Sequence, residues 1–308
     1  MNRTTGIVIG RFMPPHVGHK YLIQFALEFC DTVVILCCTL PDEPIPGELR
    51  VEWLREMFPT ARVVHSTTRD DAARRDAPGA TAIWASAVRT AVETPVDFVF
   101  ASEPYGPDFA RSLGARFVPV DPARTVVPVS ASDIREDPLR HWRYIPDVVR
   151  PFFVRRVSIV ADDDALVARL ATRFGTVLAG RYDSVFTLAT GKAVTEHDLP
   201  FVLKAHAASE DALARHAVRL LFSATDPVQI VTRLSGREVA DAALVHDTVS
   251  RYNLFIVDER EAGPSRFVEW SSAAVERAGA RVIRVGGSTE ARVSAAERAI
   301  EAELVLTP

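Results

Sequence analysis

Gly10-Arg11-Phe12-Met13-Pro14-Pro15-His16-Val17-Gly18-His19 is the stretch whose reading decides the fold. Ahead of it, the apolar run Ile7-Val8-Ile9 predicts a buried strand. Behind it, Tyr21-Leu22-Ile23-Gln24-Phe25-Ala26-Leu27 carries apolar residues at helical spacing. Two histidines are thereby set where a strand hands over to a helix N-terminus, where outward-pointing backbone N–H groups attract phosphate. Pro14 and Pro15 stiffen the loop. Gly18, between the histidines, is expected to let a ligand approach the backbone closely. Being three residues apart, His16 and His19 can face one phosphate from adjacent turns of chain. An isolated pair at that spacing is as readily a plain polar helix start; the strand and the GRFxPxH run ahead of it favour an anion site.

Working outward, strand-like and helix-like segments alternate. A strand over Thr32–Cys38 leads through the turn-rich Pro41–Gly47 into a helix over Glu48–Phe58. A short strand at Arg62–His65 precedes a helix over Ala80–Val92, and strands at Asp97–Ala101 and Ala115–Val120 follow. This order predicts a Rossmann-like parallel sheet with helices on both faces. Ligands then bind beyond the carboxyl ends of the strands, where Gly10–His19 and Ser102-Glu103-Pro104-Tyr105-Gly106 fall. Near Pro146–Arg155 the pattern restarts. Strands are expected at Arg156–Val160, Val218–Phe222, Leu254–Val257 and Arg281–Val285. Helices are expected over Ala165–Phe174, Leu199–Ala217, Arg237–Arg251, Phe267–Ala278 and Glu290–Leu304. Two α/β domains follow, 1–150 and 151–308.

Bulk properties narrow the function. The 308 residues are 48% apolar and 25% charged, with a formal charge of −4, as in a soluble globular protein. Residues 1–150 hold 17 basic against 19 acidic side chains and the rest 19 against 21, so neither half suggests a nucleic-acid partner. No apolar run reaches the roughly 20 residues of a membrane helix, and the N-terminal residues lack a signal-peptide core. The three cysteines, Cys30, Cys37 and Cys38, fit neither a disulfide framework nor a zinc site. Reduced thiols and a cytoplasmic location are expected.

Val129-Ser130-Ala131-Ser132-Asp133-Ile134-Arg135 supplies two hydroxyls and an arginine at the opening of an expected helix. This suits the β- and γ-phosphates of a nucleotide, although Ser130 alone is equally an N-cap. The set GRFMPPHVGHKYLI (10–23), PIPGELRVEWLREMFP (44–59), FVFASEPYG (98–106) and VSASDIREDP (129–138), with WRYIP and VRPFFVRRV after it, resembles the NadR-type bifunctional family in order and spacing. That family pairs an HxGH nicotinamide mononucleotide adenylyltransferase with a ribosylnicotinamide kinase. The resemblance implies that residues 1–150 make NAD and pyrophosphate from ATP and nicotinamide mononucleotide, with Mg²⁺ accompanying ATP. It implies a catalytic set of His16, His19 and Arg135, the histidines acting on the α-phosphate. Gly10, Arg11 and Phe12 would lie along the triphosphate, and Ser130, Ser132 and Arg135 at its distal end. Glu103 and Tyr105 would face the adenosine, and Trp84 would either stack on the nicotinamide ring or belong to the core. Ala131 and Ser132 stand where the family has glycine and threonine. No DNA-binding segment precedes the first motif, which argues against direct transcriptional control.

The second half resembles the family's P-loop-kinase-like domain but lacks its phosphate loop. Between the strand at Val157–Val160 and the following helix stands only Ala161-Asp162-Asp163-Asp164-Ala165, with neither glycine nor lysine. Carboxylates there suit a helix N-terminus and repel a triphosphate. Gly191-Lys192 resembles a phosphate-loop end, but Ala193 follows and Phe186 takes the place of the leading glycine, so a turn is expected. Ala224 replaces the first aspartate of the family's Asp-Thr-Asp, while Asp226 remains as a helix cap. An inactive kinase-like domain is the expectation, with folding support, homo-oligomerisation or ligand sensing as open roles. The rivals are a nicotinamide-nucleotide sensor without useful turnover, a bifunctional enzyme that still phosphorylates nicotinamide riboside, and a preference for nicotinic acid mononucleotide as acceptor.

Overall fold

The computed structural model describes residues 3–67, 80–259 and 263–306, with side chains as far as residue 302. The chain divides into two compact units, Met1–Val149 and Arg150–Pro308.

In the first unit, β1 (Thr5–Gly10), α1 (Val17–Phe29), β2 (Thr32–Cys38), α2 (Gly47–Met57), β3 (Arg62–Ser66), α3 (Ala80–Ala91), β4 (Phe98–Ala101), α4 (Gly106–Leu113), β5 (Arg116–Pro119) and α5 (Ala131–Glu136) follow in order. The sheet is parallel, in the order β3-β2-β1-β4-β5. Central β1 is paired on both sides, with Ile7 opposite Val34 and Val99, so its side chains are buried on both faces. Val8, Ile35 and Phe100 pack under α1 and α2 against Leu22, Ile23 and Leu54. Ile7, Val34 and Val99 pack on the other face against Trp84, Val88 and Phe109 of α3 and α4. Each such side chain contributes about 1.5–3 kcal/mol by leaving water. The chain leaves β1 toward β2 on one side and returns to β4 on the other, which opens a crevice at the carboxyl ends of β1 and β4.

The second unit runs α6 (Arg150–Phe153), β6 (Arg155–Val160), α7 (Ala165–Phe174), β7 (Leu178–Ala179), α8 (Tyr182–Thr190), α9 (Leu199–Ala214), β8 (Leu220–Ser223), α10 (Pro227–Ser235), α11 (Ala242–Arg251), β9 (Leu254–Glu259), α12 (Arg266–Arg277), β10 (Val282–Gly286) and α13 (Thr289–Leu306). Its parallel sheet has the order β10-β9-β6-β8-β7. Two parallel-sheet α/β units therefore form the chain, as the alternation predicts. The expected strand at Val218–Phe222 begins instead at Leu220, because Arg219 (φ +68°) folds Val218 back into a bridge with Leu220. The helix expected from Arg237 starts at Ala242, where Asp241 accepts from the N–H groups of Ala243 and Leu244. The core beside β8 is polar. Buried Glu210 accepts from Ser223, Tyr252 and Arg251 at 2.7–2.8 Å. Asp226 caps α10 through Gln229 N–H and accepts from the Ser158 hydroxyl.

Among the described residues, no helix is long and apolar enough to cross a membrane. Cys30, Cys37 and Cys38 are free thiols. Burial pushes the Cys37 and Cys38 thiols up to about 12, so neither is a ready nucleophile.

Candidate active site

The β1–α1 junction builds the centre. His16 is the N-cap of α1, and its Nδ1 accepts the Gly18 N–H at 3.0 Å. That bond makes Nδ1 the acceptor, so the neutral ring carries its proton on Nε2. Burial drives the His16 pKa down to about 4; nearby Arg124 adds to the effect and Asp133 opposes it. At neutral pH, His16 is therefore an uncharged N–H donor. The His19 ring lies 3.8 Å from it, centroid to centroid, and meets the Phe12 ring edge-on at 4.9 Å.

Both glycines of this segment make room for neighbours within the protein. A Cβ on Gly18 would sit 2.8 Å from His16 Cε1, so the space that the sequence suggested for a ligand belongs to the imidazole. A Cβ on Gly10 would press on the Phe12 ring at 3.1–3.3 Å. Phe12 holds a left-handed backbone (φ +47°) with its side chain buried in the sheet core. Of the three residues expected along a triphosphate, Gly10 and Phe12 can therefore offer only backbone, and Arg11 alone projects a charge.

Arg11 is half-exposed and pairs with Glu43, which also pairs with fully buried Arg50. Arg50 donates to the Arg11 carbonyl at 2.6 Å, tying the first turn of α2 to the glycine–arginine turn. Burial opposes charge on Glu43, but hydrogen bonds from Leu40 N–H, Arg11 and Arg50 outweigh it and hold the carboxyl below its usual range. Thr39 is hydrogen-bonded to His65 at 2.8 Å.

At α5, Ser130 forms a capping box with Asp133. Its hydroxyl accepts Asp133 N–H at 3.1 Å, and Asp133 accepts Ser130 N–H at 2.8 Å. Arg135 donates to the Met13 carbonyl at 2.5 Å and to the Ser132 hydroxyl at 3.0 Å, fastening the helix to the proline loop. Tyr105 donates its hydroxyl to the Ile9 carbonyl at 3.1 Å. Trp84 packs edge-on against Tyr105 and Phe109 and is 8% exposed, so most of its ring belongs to the core. Glu103 accepts from Arg124 at 2.8 Å.

These groups line one cavity of about 440 Å³. All eleven residues singled out from sequence border it: His16, His19, Arg135, Gly10, Arg11, Phe12, Glu103, Tyr105, Ser130, Ser132 and Trp84. Sequence reasoning missed Thr39, Asp121 and Arg124 on the same wall, and the Glu43–Arg50 support behind it. Arg124 lies in a loop with no periodic pattern, and its only prior signal was a place shortly after a strand end.

In the second unit, the β6–α7 turn spends each aspartate separately. Asp162 accepts from Ser265 at 2.6 Å, Asp163 from Ala165 N–H at 2.9 Å, and Asp164 pairs with Arg181 at 2.6 Å. Only Asp163 thus caps α7; Asp164, at the N-cap position, makes no capping bond. Gly191 ends α8 in a left-handed turn (φ +67°), and Lys192 follows it, as the sequence predicted.

No protein-family model matches the chain. It is 29% identical over 281 residues to the trifunctional NAD biosynthesis/regulator protein NadR of Escherichia coli (strain K12), a match covering 83% of this chain and 68% of that protein. The NadR of Salmonella typhimurium is 28% identical over 280 residues, with the same coverage. A crystal structure of NadR protein in complex with NAD and AMP-PNP superposes with a TM-score of 0.78 at 18% identity, covering 100% of this chain and 98% of that one. A second, in complex with NR, gives 0.77 at 19% identity, covering 98% and 95%. At such identities the structures speak for the fold, while the sequence match spans more residues than either unit contains. With the fold shared along its whole length and the sequence likeness running through both units, the chain is similar to the NadR proteins in both of its units.

Proposed function

We propose that the first unit transfers the adenylyl group of ATP to nicotinamide mononucleotide, giving NAD and pyrophosphate. The observation that carries this reading is the neutral, N-capping His16 whose ring centroid lies 3.8 Å from that of His19 in a cavity bordered by Arg11, Arg124 and Arg135. In the reaction a phosphate oxygen of the mononucleotide forms a bond to the α-phosphorus of ATP. The bond from that phosphorus to the bridging oxygen of the β-phosphate breaks, and pyrophosphate leaves with the electron pair. The nucleophile is already an anion, so no strong base is required. Catalysis then rests on holding two anions in line and stabilising the charge that builds on the equatorial oxygens. His16 suits this because it donates from Nε2 without titrating near pH 7, while Arg11 and Arg135 supply cationic donors and fix the loop that carries it. The name of the bacterial relatives and the NAD and AMP-PNP of the neighbouring structure support the same chemistry.

Among the described residues no three His, Cys, Asp or Glu side chains come together as metal ligands. Glu43, Glu103 and Asp121 face arginines or backbone N–H groups. The cavity residues do not form a ligand set for Mg²⁺; the ion would be held by the oxygens of ATP, and no step above depends on a protein-bound metal. A cytoplasmic location belongs to this reading.

The second unit is read as a kinase-like domain without phosphoryl transfer. What supports this is the β6–α7 turn, where the Asp164–Arg181 pair and two further carboxylates stand in place of a glycine-lined anion cradle. Purified protein is expected to release pyrophosphate and form NAD from ATP and nicotinamide mononucleotide, with His16→Ala and His19→Ala each losing about 10²–10³ in kcat. No NAD above those variants would leave a nucleotide sensor as the better reading. Phosphate transfer to nicotinamide riboside would refute the inactive kinase.

A further inference from the structure

Phe12, Asp121 and Arg124 are three of the four non-glycine residues with a left-handed backbone among the described residues, and all three line the cavity of the first unit. Such conformations persist where the surroundings over-determine them, and they gather at functional sites. In the loop after β5 the cause is visible. The Asp121 carboxylate accepts the N–H groups of Thr125 at 2.8 Å, Val126 at 3.1 Å and Val127 at 3.2 Å, together with the Thr125 hydroxyl at 3.2 Å. The loop wraps round this one carboxylate and turns Arg124 (φ +51°) toward the end of β4. There its Nη2 donates to Glu103 Oε1 at 2.8 Å. The Arg124 side chain remains 44% exposed, and its charge reaches His16, where it is the largest influence after burial.

The geometry points to Arg124 as a catalytic cation that engages the transferring phosphate beside His16, with Glu103 as the positioning residue that aims it. This rests on the adenylyltransferase reading of the first unit. It also moves Glu103 away from the adenosine: its carboxylate orients the guanidinium. A guanidinium is the side chain suited to this place, because its planar fork gives two parallel hydrogen bonds to phosphate oxygens and keeps its charge at any working pH. Asp121 acts one layer further out by shaping the loop.

The test uses the full-length chain with Arg124→Met, Arg124→Lys, Glu103→Gln and Glu103→Asp. Steady-state NAD formation and calorimetry with inorganic pyrophosphate are the two readouts. Arg124→Met is expected to lose about 10²-fold in kcat and to bind pyrophosphate about tenfold more weakly, with part of the rate restored by added guanidinium. Arg124→Lys falls between, which separates the loss of the fork from a folding defect. Glu103→Gln lowers kcat about tenfold, and Glu103→Asp recovers most of it. Removing the Arg124 charge also lets the His16 pKa rise, since Asp133 then acts on that ring unopposed by Arg124, so the acid limb of the rate profile moves upward in Arg124→Met. Arg124→Lys, which keeps the charge, leaves that limb in place. Arg124→Met with kcat within about threefold of the parent and unchanged pyrophosphate affinity overturns the inference. A parent that makes no NAD refutes the adenylyltransferase reading instead; the inference then stands or falls on whether pyrophosphate binding depends on Arg124.

Discussion

Gly18→Ala separates the packing of the histidine pair from the stability of the helix that carries it. The added Cβ would lie 2.8 Å from His16 Cε1 and 3.0 Å from Nδ1, closer than side chains tolerate, so the imidazole must rotate away. Two opposing effects on stability follow. Losing the His16–Gly18 N-cap bond costs about 1 kcal/mol, and replacing glycine by alanine in the first turn of α1 returns about 0.5–1 kcal/mol. The net change is within about 1 kcal/mol, or roughly 3 °C in Tm for a unit of this size. Activity has no such compensation. A displaced donor at a charge-stabilising position costs about 2.7–4 kcal/mol of barrier, which is about 10²–10³ in kcat. Steady-state NAD formation at saturating ATP, set beside a thermal melt, reads both quantities. The expected result is a near-parental Tm with kcat falling toward that of His16→Ala. Gly18→Ala with parental kcat would refute the claim that the ring position set by this glycine matters to the chemistry.

The remaining expectations concern charge and burial. Because the folded His16 pKa lies near 4 and the unfolded value near 6.5, protonation favours the unfolded chain. His16 therefore contributes stability in full above about pH 6.5, and up to about 3 kcal/mol of it is lost as pH falls toward 4. Urea unfolding at pH 7 and pH 4.5 should show a smaller acid loss in His16→Asn, which keeps a capping side chain. Glu43→Gln leaves the fully buried Arg50 guanidinium without its counter-charge and should cost about 3–5 kcal/mol in urea unfolding; a change below about 1 kcal/mol would contradict the pairing. Glu210→Gln, which disturbs the buried acceptor of Arg251, Tyr252 and Ser223, should destabilise the second unit by a comparable amount, read by hydrogen exchange at β8 and β9.

What was legible in the sequence followed from periodicity and chain punctuation. β2 was legible to the residue because seven apolar or β-branched positions lie between the α1 C-cap and a proline-rich loop. α7 was legible because Leu166, Val167, Leu170 and Ala171 form one buried stripe ended by Gly175 in a left-handed cap. α8 escaped because none of its residues is buried, so no inward stripe marks it, and β7 is two residues long. The candidate site divides the same way. Residues carried by a local motif, His16 to His19 and Ser130 to Arg135, could be found from spacing. Groups that matter through contacts distant in sequence could not: Arg50 reaches back 39 residues to the Arg11 carbonyl and Arg124 reaches 21 to Glu103. Gly18 was noticed for the right reason, a missing Cβ, and assigned the wrong neighbour, because spacing alone cannot place the His16 ring.

The two units show how one architecture gains or loses an affinity for anions through the accounting of a few side chains. At the switch of the first sheet, the acids that approach the cavity are spent on internal partners: Glu43 on Arg11 and Arg50, Glu103 on Arg124, Asp133 on the cap of α5, and Asp121 on a row of backbone N–H groups. The two of these arginines that border the cavity, Arg11 and Arg124, keep further donors, since a guanidinium has five N–H groups and the facing carboxylate takes two at most. The carboxylates thus orient the cations without exhausting them, and the wall stays ready for phosphate oxygens. In the second sheet the balance is inverted. Three successive aspartates follow β6, and Arg181 pairs with Asp164. These carboxylates stand at the start of α7, so a polyanion arriving there meets acceptors where it needs hydrogen-bond donors. Removing one aspartate would leave two, and the turn would still lack the glycine-lined loop that brings backbone N–H groups to a phosphate. A single substitution is therefore not expected to restore triphosphate binding, whereas the first cavity should lose it stepwise as its arginines are removed one at a time.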